Sequence, residues 1–320
     1  MPHPIPHYAT TTDTERLAWA YLSRVTQGPS PAVWTRVNQG HSAVDIAEGV
    51  RTRASWIEPA LLTQTKDTHH LDTTATDLAA AAAVGARLVT PDDEEWPQQL
   101  TSAFSSVNDR ATVFPHLKTY EASAVAPHAL WVRGADLRTL LTTPVAIVGS
   151  RAATEYGRHI AQDFAGDLAA TGHTIISGGA LGIDTFSHEA ALAIGGRTVM
   201  VSATGIDRSY PARNEYLIQQ IAGSGTVISE YAPGVVPARE RFLARNRLIA
   251  ALSLATVLVE SAWRSGSLNA LRWAEALDRN PLAVPGPITS AASAGTNACI
   301  QSGQARMVTS AAHIADVVAR

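Results

Sequence analysis

An apolar strand that runs into a glycine- or serine-bearing turn and then into a helix recurs through the second half of this chain. That recurrence constrains the fold more than any other feature. VAIVGSR (residues 145–151) is the first instance and TIISGGALGID (174–184) the second, one helix later. Glycine lets backbone come close to a ligand, and the N–H groups that open a helix favour an anion. Strands are expected at 145–149, 174–177, 198–203, 226–229, 255–260 and 282–284, with helices such as 157–171 and 184–195 between them. Near-continuous Val, Ile and Leu strands separated by amphipathic helices predict an α/β fold: a doubly wound, mostly parallel sheet covered on both faces. The first two turns are then expected side by side at the carboxyl edge of the sheet, where open α/β sheets bind ligands.

Upstream the pattern differs. Residues 1–13 read as a flexible tail. From Thr14, taken as a cap, Leu17, Ala18, Tyr21, Leu22 and Val25 recur at helical spacing, and short helices are expected at 31–37, 43–48 and 72–84. No strand alternates before Arg87, so residues 14–85 are expected to form a small helical domain and 86–320 the core. RLVTPDDEEWPQQL (87–100) reads as strand, turn and helix start, the stretch from Ser105 to Ala126 as irregular, and HALWVRG (128–134) as a short strand.

With 320 residues, 46% of them hydrophobic, the chain can build about two domains around a sizeable core. A net charge of −3 argues against a basic coat over the whole surface and leaves room for a local patch. Of the 25 basic residues only Lys66 and Lys118 are lysines; arginine suits planar, bidentate contact with phosphate. The single Cys299 excludes an intrachain disulfide and a Cys-rich zinc site, and no metal is expected. MPHPIPHYAT has neither the basic start nor the apolar stretch of a signal peptide, and no apolar run reaches membrane-span length, so a cytoplasmic protein is expected.

The chemistry is sought at the strand ends. The first turn has no second glycine at dinucleotide spacing and no P-loop lysine, so no cofactor is expected. It offers Gly149, the Ser150 hydroxyl and the Arg151 guanidinium beside free helix N–H groups. Ser177, Gly178 and Gly179 add small residues at the neighbouring strand end. Asp184 and His188, four apart, suggest either an acid–base pair or, as the stronger reading, a helix-start brace and a helix-face histidine. At the third strand end Tyr210-Pro211 marks a turn and Asn214 a helix cap. The fourth strand end is the sharpest: Arg239, Arg241, Arg245 and Arg247 fall within nine residues around Phe242, with Asn246 among them. Arg241 and Arg245 would share a helix face. Arginines around an aromatic suit a phosphate backbone with a stacked base; a solvated helix pairing with Glu230 or Glu260 is the plainer alternative. Ser265, Gly266 and Ser267 place hydroxyls at a further helix start. No G-x-S-x-G or H-E-x-x-H occurs and no catalytic residue is assigned, although Asp184, Asp207, Glu230 and Glu260 are free to meet in space.

Taken in order, VAIVGSR, ISGGALGID, GIDRSYPARN, ISEYAPG, FLARNRLIAALS, SGSLNALRWA, AVPGP and GTN resemble the DNA-processing protein A family (DprA, also called Smf). RLVTPDDEEWPQQL and ALWVRG look like that family's lead-in, and RLAWAYLSRV like its helical domain. The resemblance implies an extended Rossmann-like core with a SAM-like N-terminal domain. It further implies single-stranded DNA binding without turnover, loading of RecA recombinase, protection of DNA during natural transformation, and a homodimer. The family's DNA groove falls here on Arg151, on Ser177 to Gly179, and on Arg245, Asn246 and Arg247. Two departures stand out. Leu181 occupies a position that is often basic, a contact that Arg213 or Arg264 is placed to replace. The chain ends at Arg320, where longer members add a winged-helix-like domain. The alternative is a nucleotide-binding or nucleotide-hydrolysing enzyme of the lysine-decarboxylase-like Rossmann group, although that group's P-G-G-x-G-T-x-x-E segment does not occur here.

Overall fold

A capping box opens the first helix. Thr12 Oγ1 accepts from the Glu15 N–H at 3.2 Å, and the Glu15 carboxylate accepts from the Thr12 N–H at 3.2 Å. The helix cap therefore lies two residues earlier than the expected Thr14. The structure is a computed structural model and describes residues 12–105, 107 and 123–319. Most of the expected tail, and of the irregular stretch from Ser105 to Ala126, lies outside those residues. Five helices come first: α1 (Asp13–Thr26), α2 (Pro31–Asn38), α3 (Ala43–Arg51), α4 (Pro59–Gln64) and α5 (Thr74–Ala83). The short α4, opened by a proline at its first position, was not expected from the sequence.

The chain then alternates through β1 (Ala86–Val89), α6 (Gln98–Ser105), β2 (Leu130–Gly134), α7 (Leu137–Leu140), β3 (Pro144–Val148), α8 (Glu155–Ala170), β4 (Thr174–Ser177), α9 (Ile183–Ala193) and β5 (Thr198–Ser202). It continues through α10 (Glu215–Ser224), β6 (Thr226–Ser229), α11 (Arg239–Ala251), β7 (Ala255–Leu258), α12 (Ser267–Ala276), β8 (Asn280–Ala283), α13 (Ala294–Gln301), β9 (Arg306–Met307) and α14 (Ala311–Val318). Among the described residues these strands form one sheet in the order β1-β2-β6-β5-β4-β3-β7-β8-β9. Pairing is parallel from β6 across to β9, while β1 and β2 add an antiparallel edge beside β6.

The order carries the functional consequence. From β3 the chain steps through β4 and β5 to β6, then returns to lay β7 against the other side of β3, with Val145 opposite Ala255 and Val148 opposite Leu258. The winding reverses between β3 and β7, and a doubly wound sheet opens its ligand crevice at such a reversal. The first two glycine turns do follow adjacent parallel strands, β3 and β4. The reversal lies on the opposite side of β3 from β4.

Both faces of the sheet are covered because its strands have no polar side to show water. On one face Val145, Ile147, Ile175 and Val257 pack with Phe164, Leu168 and Ile183 of α8 and α9 and with Ile314 of α14. On the other, Ala146, Val148, Ile176 and Leu258 pack with Leu248 of α11 and Leu271 and Trp273 of α12. Each fully buried Leu or Ile contributes roughly 1.5–3 kcal/mol. Helices α1 to α5 share a core with the sheet: Trp19, Leu22, Ile46 and Leu61 cluster with Trp131, Met200, Val227 and Ile218.

Candidate functional site

The second glycine turn already holds an anion, and that anion belongs to the chain. The buried Asp184 carboxylate accepts from the Gly178 N–H at 3.1 Å and the Ala180 N–H at 3.3 Å. Burial raises the pKa of Asp184, while the Arg245 guanidinium and these N–H groups pull it back. Gly179 needs its left-handed φ of +70°, and a Cβ on Gly178 would stand 2.4 Å from Nη1 of Arg245. Ser177 is wholly buried and donates to the Ile147 carbonyl at 2.6 Å. The expectation that Ser177, Gly178 and Gly179 line the ligand groove is therefore corrected: they form its buried frame, with polar groups engaged internally. His188 is bonded elsewhere, Nδ1 to Thr198 Oγ1 at 2.7 Å, so Asp184 and His188 are structural groups in separate bonds.

The turn after β3 is similarly braced. Thr154 Oγ1 caps α8 by accepting from the Gly157 N–H at 3.2 Å. The Glu260 carboxylate accepts from the Thr154 N–H at 2.9 Å and from its hydroxyl at 2.6 Å. A Cβ on Gly157 would meet Glu260 Oε2 at 2.1 Å. The opening of α8 therefore faces a carboxylate of the chain, which corrects the expectation of free N–H groups there. Asn214 also departs from expectation. It occupies the N-cap position of α10 but makes no side-chain cap bond; its side-chain amide donates instead to the Gly179 carbonyl at 3.1 Å and to Thr185 Oγ1 at 2.7 Å, tying α10 to the glycine turn.

A crevice of 1010 Å³ opens at the winding reversal, between the turn after β3, helix α11 and the turn into α12. Of the residues expected there, Gly149, Ser150, Arg151, Phe242, Arg245, Asn246, Ser265, Gly266 and Ser267 line it. Phe242 is the centre of an aromatic and cationic cluster. The Tyr210 ring lies 5.4 Å away, the Arg151 guanidinium 5.3 Å from the ring centroid, and that of Arg245 6.0 Å away. Arg245 is 5% exposed; Nη1 donates to the Gly178 carbonyl at 2.7 Å and also to that of Val201, while Nε finds no partner among the described residues. Burial lowers its pKa to about 10, against the opposing pull of Asp184. Asn246 donates to Asn269 Oδ1 at 3.3 Å, and the Ser265 and Ser267 hydroxyls lie 2.8 Å apart.

The described wall carries three further arginines, of which Arg239 and Arg264, but not Arg272, stand out in the sequence. Arg264 precedes Ser265 and Arg272 lies on α12; Arg239 opens α11. With Arg151, these four are exposed and line the crevice, and their guanidiniums make no hydrogen bond or ion pair among the described residues. The one carboxylate on the described wall is Asp184, already bonded to backbone. Of the two candidates to replace a basic residue at Leu181, Arg264 lines the crevice and Arg213 does not.

Besides the Ser177-Gly178-Gly179 turn, two further expected residues do not line it. Arg247 is fully buried on α11, donating to the Glu230 carboxylate through both terminal nitrogens, one at 2.8 Å. Arg241 donates to the Val236 carbonyl at 2.6 Å and to Gln27 Oε1 at 3.4 Å, over the Tyr231 ring. Successive helical residues point about 100° apart, so neighbouring arginines on α11 serve different surroundings. Among the described residues no helix is long and apolar enough to cross a membrane, and no three His, Cys, Asp or Glu side chains cluster to hold a metal.

Fold and crevice define a doubly wound α/β protein with an arginine-lined cleft at its switch point. The chain belongs to the DNA recombination-mediator protein A family, whose sequence model matches residues 87–319. It is 43% identical over 307 residues to a Mycobacterium tuberculosis H37Rv protein that bears the name DNA processing protein DprA, covering 96% of this chain and 76% of that one. Against the DNA processing protein DprA of Streptococcus pneumoniae R6 the identity is 40% over 189 residues, 58% of this chain and 64% of that one. The X-ray structure of S. pneumoniae DNA processing protein A superposes with a TM-score of 0.71 at 28% identity, covering 96% of this chain and 98% of that one. DNA processing protein A of Helicobacter pylori, solved in a study of its single-stranded DNA binding mode, superposes with a TM-score of 0.56 at 34% identity, covering 61% and 88%.

Proposed function

We propose that the crevice binds single-stranded DNA. In this reading Arg151, Arg239, Arg264 and Arg272 contact successive phosphates, and Phe242 with Tyr210 stacks a base. The Ser150, Ser265, Ser267 and Asn246 side chains and the backbone at Gly149 and Gly266 supply further hydrogen bonds. Arg245 and the Ser177-Gly178-Gly179 turn hold the floor in shape. The observation that carries the reading is the set of four exposed guanidiniums that, among the described residues, make no hydrogen bond or ion pair and share a wall with an aromatic pair, the one carboxylate on that described wall being bonded to backbone. Stacking on aromatics inside a basic groove is how proteins hold single strands without reading sequence. The protein then protects the strand and loads RecA recombinase onto it during DNA uptake, as a cytoplasmic homodimer and without catalytic turnover. The family and the H. pylori relative support this reading. The nucleotide-hydrolysing alternative loses its main support, because Asp184 occupies the turn amides that would receive a nucleotide phosphate.

The test is a fluorescence-anisotropy titration of oligo-dT and of duplex across a salt series. Four phosphate contacts predict a log–log salt slope of about −3 on single strands, at roughly −0.7 per contact. Affinity for oligo-dT no better than for duplex, or unchanged by salt, would overturn strand binding. Capture of RecA by the DNA-loaded protein, and its loss in variants that retain DNA binding, tests the loading role separately.

A further inference from the structure

A second recess, of 410 Å³, opens beyond Leu243 and Asn269, the two residues it shares with the arginine crevice. Its wall joins distant parts of the chain: Gln27 follows α1, Tyr231 follows β6, Arg241 lies on α11 and Trp273 on α12. Tyr231 and Trp273 are 2% and 3% exposed and form the floor; Leu243 is 39% exposed and forms the rim toward the crevice. The N-terminal side is held in place by Ser23 Oγ, which donates to the Glu230 carbonyl at 3.2 Å, and by Arg24, which donates to the Pro233 carbonyl at 2.7 Å.

We propose that this recess takes one nucleobase of a strand whose backbone lies in the crevice; the inference rests on the strand-binding reading above. A base asks for apolar contact on its faces and polar groups at its edge. Leu243 at the rim and Trp273 at the floor, beside a Tyr231 ring that carries the Arg241 guanidinium, supply the first, and the side-chain amides of Gln27 and Asn269 supply the second. The volume lies at the small end of organic ligand pockets, roughly 300–1000 Å³. Phosphate fits poorly. The Glu240 carboxylate stands on the same wall, and the Arg241 guanidinium is engaged by the Val236 carbonyl and Gln27. Continuity through Leu243 and Asn269 means a strand leaving the crevice on this side presents its next base here. The N-terminal helices thereby become part of the DNA site.

The test uses the full chain and labelled oligo-dT in two forms, intact and with a single abasic position walked along the strand. Gln27→Asn shortens the amide by one methylene and keeps a residue that tolerates the left-handed backbone found there (φ 55°). Leu243→Trp fills the rim. Both positions are exposed, so both variants are expected to fold, and a thermal melt checks this. In the unmodified protein one abasic position should weaken binding by roughly fivefold or more. In both variants the intact strand should bind more weakly, and that abasic position should cost nothing further. A penalty that survives unchanged in both variants, or no position-dependent penalty at all, overturns the recess. Arg264→Glu separates the two readings. If it weakens binding while the recess variants do not, the recess alone fails; if it too has no effect, strand binding in the crevice fails.

Discussion

Arg247 and Glu230 form an ion pair that water does not reach: the guanidinium and carboxylate meet at 2.8 Å with 0% and 4% of their side chains exposed. Removing one partner leaves the other as an uncompensated buried charge. Arg247→Ala should therefore destabilise the fold by about 3–5 kcal/mol, read as a lowered urea midpoint. A loss below about 1 kcal/mol would contradict the structural role assigned here.

That pair also shows what could be read from the sequence and what could not. The strand runs and their intervening helices were legible, because fully buried parallel strands must be apolar throughout. The edges of β4 and β6 coincide with expectation, and β3, β5, β7 and β8 shift by at most two residues. The return of β7 to the side of β3 was not legible, since strand order leaves no local mark. The arginine cluster was visible, but the separate surroundings of Arg241, Arg245 and Arg247 were not. Helix α11 carries apolar residues at several angles, so its pattern does not say which arginine faces the crevice. The internal occupants of the two turns were also hidden: Glu260 reaches Thr154 across 106 residues of sequence. Arg272 stands inside the SGSLNALRWA segment, but nothing in that pattern marks it as facing a ligand; only the helix beginning at Ser267 brings it to the crevice.

Arg151 reaches the crevice from the turn after β3 and stacks on Phe242. Arg151→Ala should weaken oligo-dT binding about tenfold at low salt and flatten the salt slope by roughly 0.7. The loss should be the same for poly-dT and mixed sequence, because a backbone contact carries no base preference. A loss confined to particular sequences would speak against a phosphate contact, and unfolding midpoints should stay near the parent's.

Gly178 and Gly266 make a paired prediction. A Cβ on Gly178 would stand 2.4 Å from a guanidinium that is itself bonded to the Gly178 and Val201 carbonyls, so it has no easy retreat. Gly178→Ala should destabilise by about 1–3 kcal/mol. Gly266 has φ −64° and nothing within 4 Å of a built Cβ, so Gly266→Ala should stay within about 0.5 kcal/mol of the parent. Equal midpoints for the two variants would show that the glycine turn is not packed as described.

His128 and His188 are buried, and Nε2 of His188 has no hydrogen-bond partner among the described residues. Burial holds both rings neutral, lowering His188 from 6.5 to about 3 and His128 from 6.5 to about 4. Both folded values lie below the unfolded value, so on acidification the unfolded chain binds protons first. The contribution to stability is complete above pH 6.5 and is lost as pH falls toward the folded values, by about 1.4 kcal/mol per pH unit for each ring. Urea midpoints should fall between about pH 6.5 and pH 5, and His188→Gln should flatten that dependence by about half if it folds. Midpoints that hold steady over this range in the unmodified protein would rule out the linkage.

The carboxylate of Asp184 in the glycine turn has a consequence for selectivity. A turn that already carries its own negative charge offers no ready-made seat for a lone phosphate, so a mononucleotide gains little there however abundant it is. Among the described residues the exposed positive charge of the crevice is scattered over the guanidiniums of Arg151, Arg239, Arg264 and Arg272, each weak by itself. A ligand must engage several at once, and tethered contacts reinforce one another through their high effective concentration. On the strand-binding reading proposed above, the cleft would discriminate by avidity, favouring a polymer over its own monomers without needing to tell one base from another.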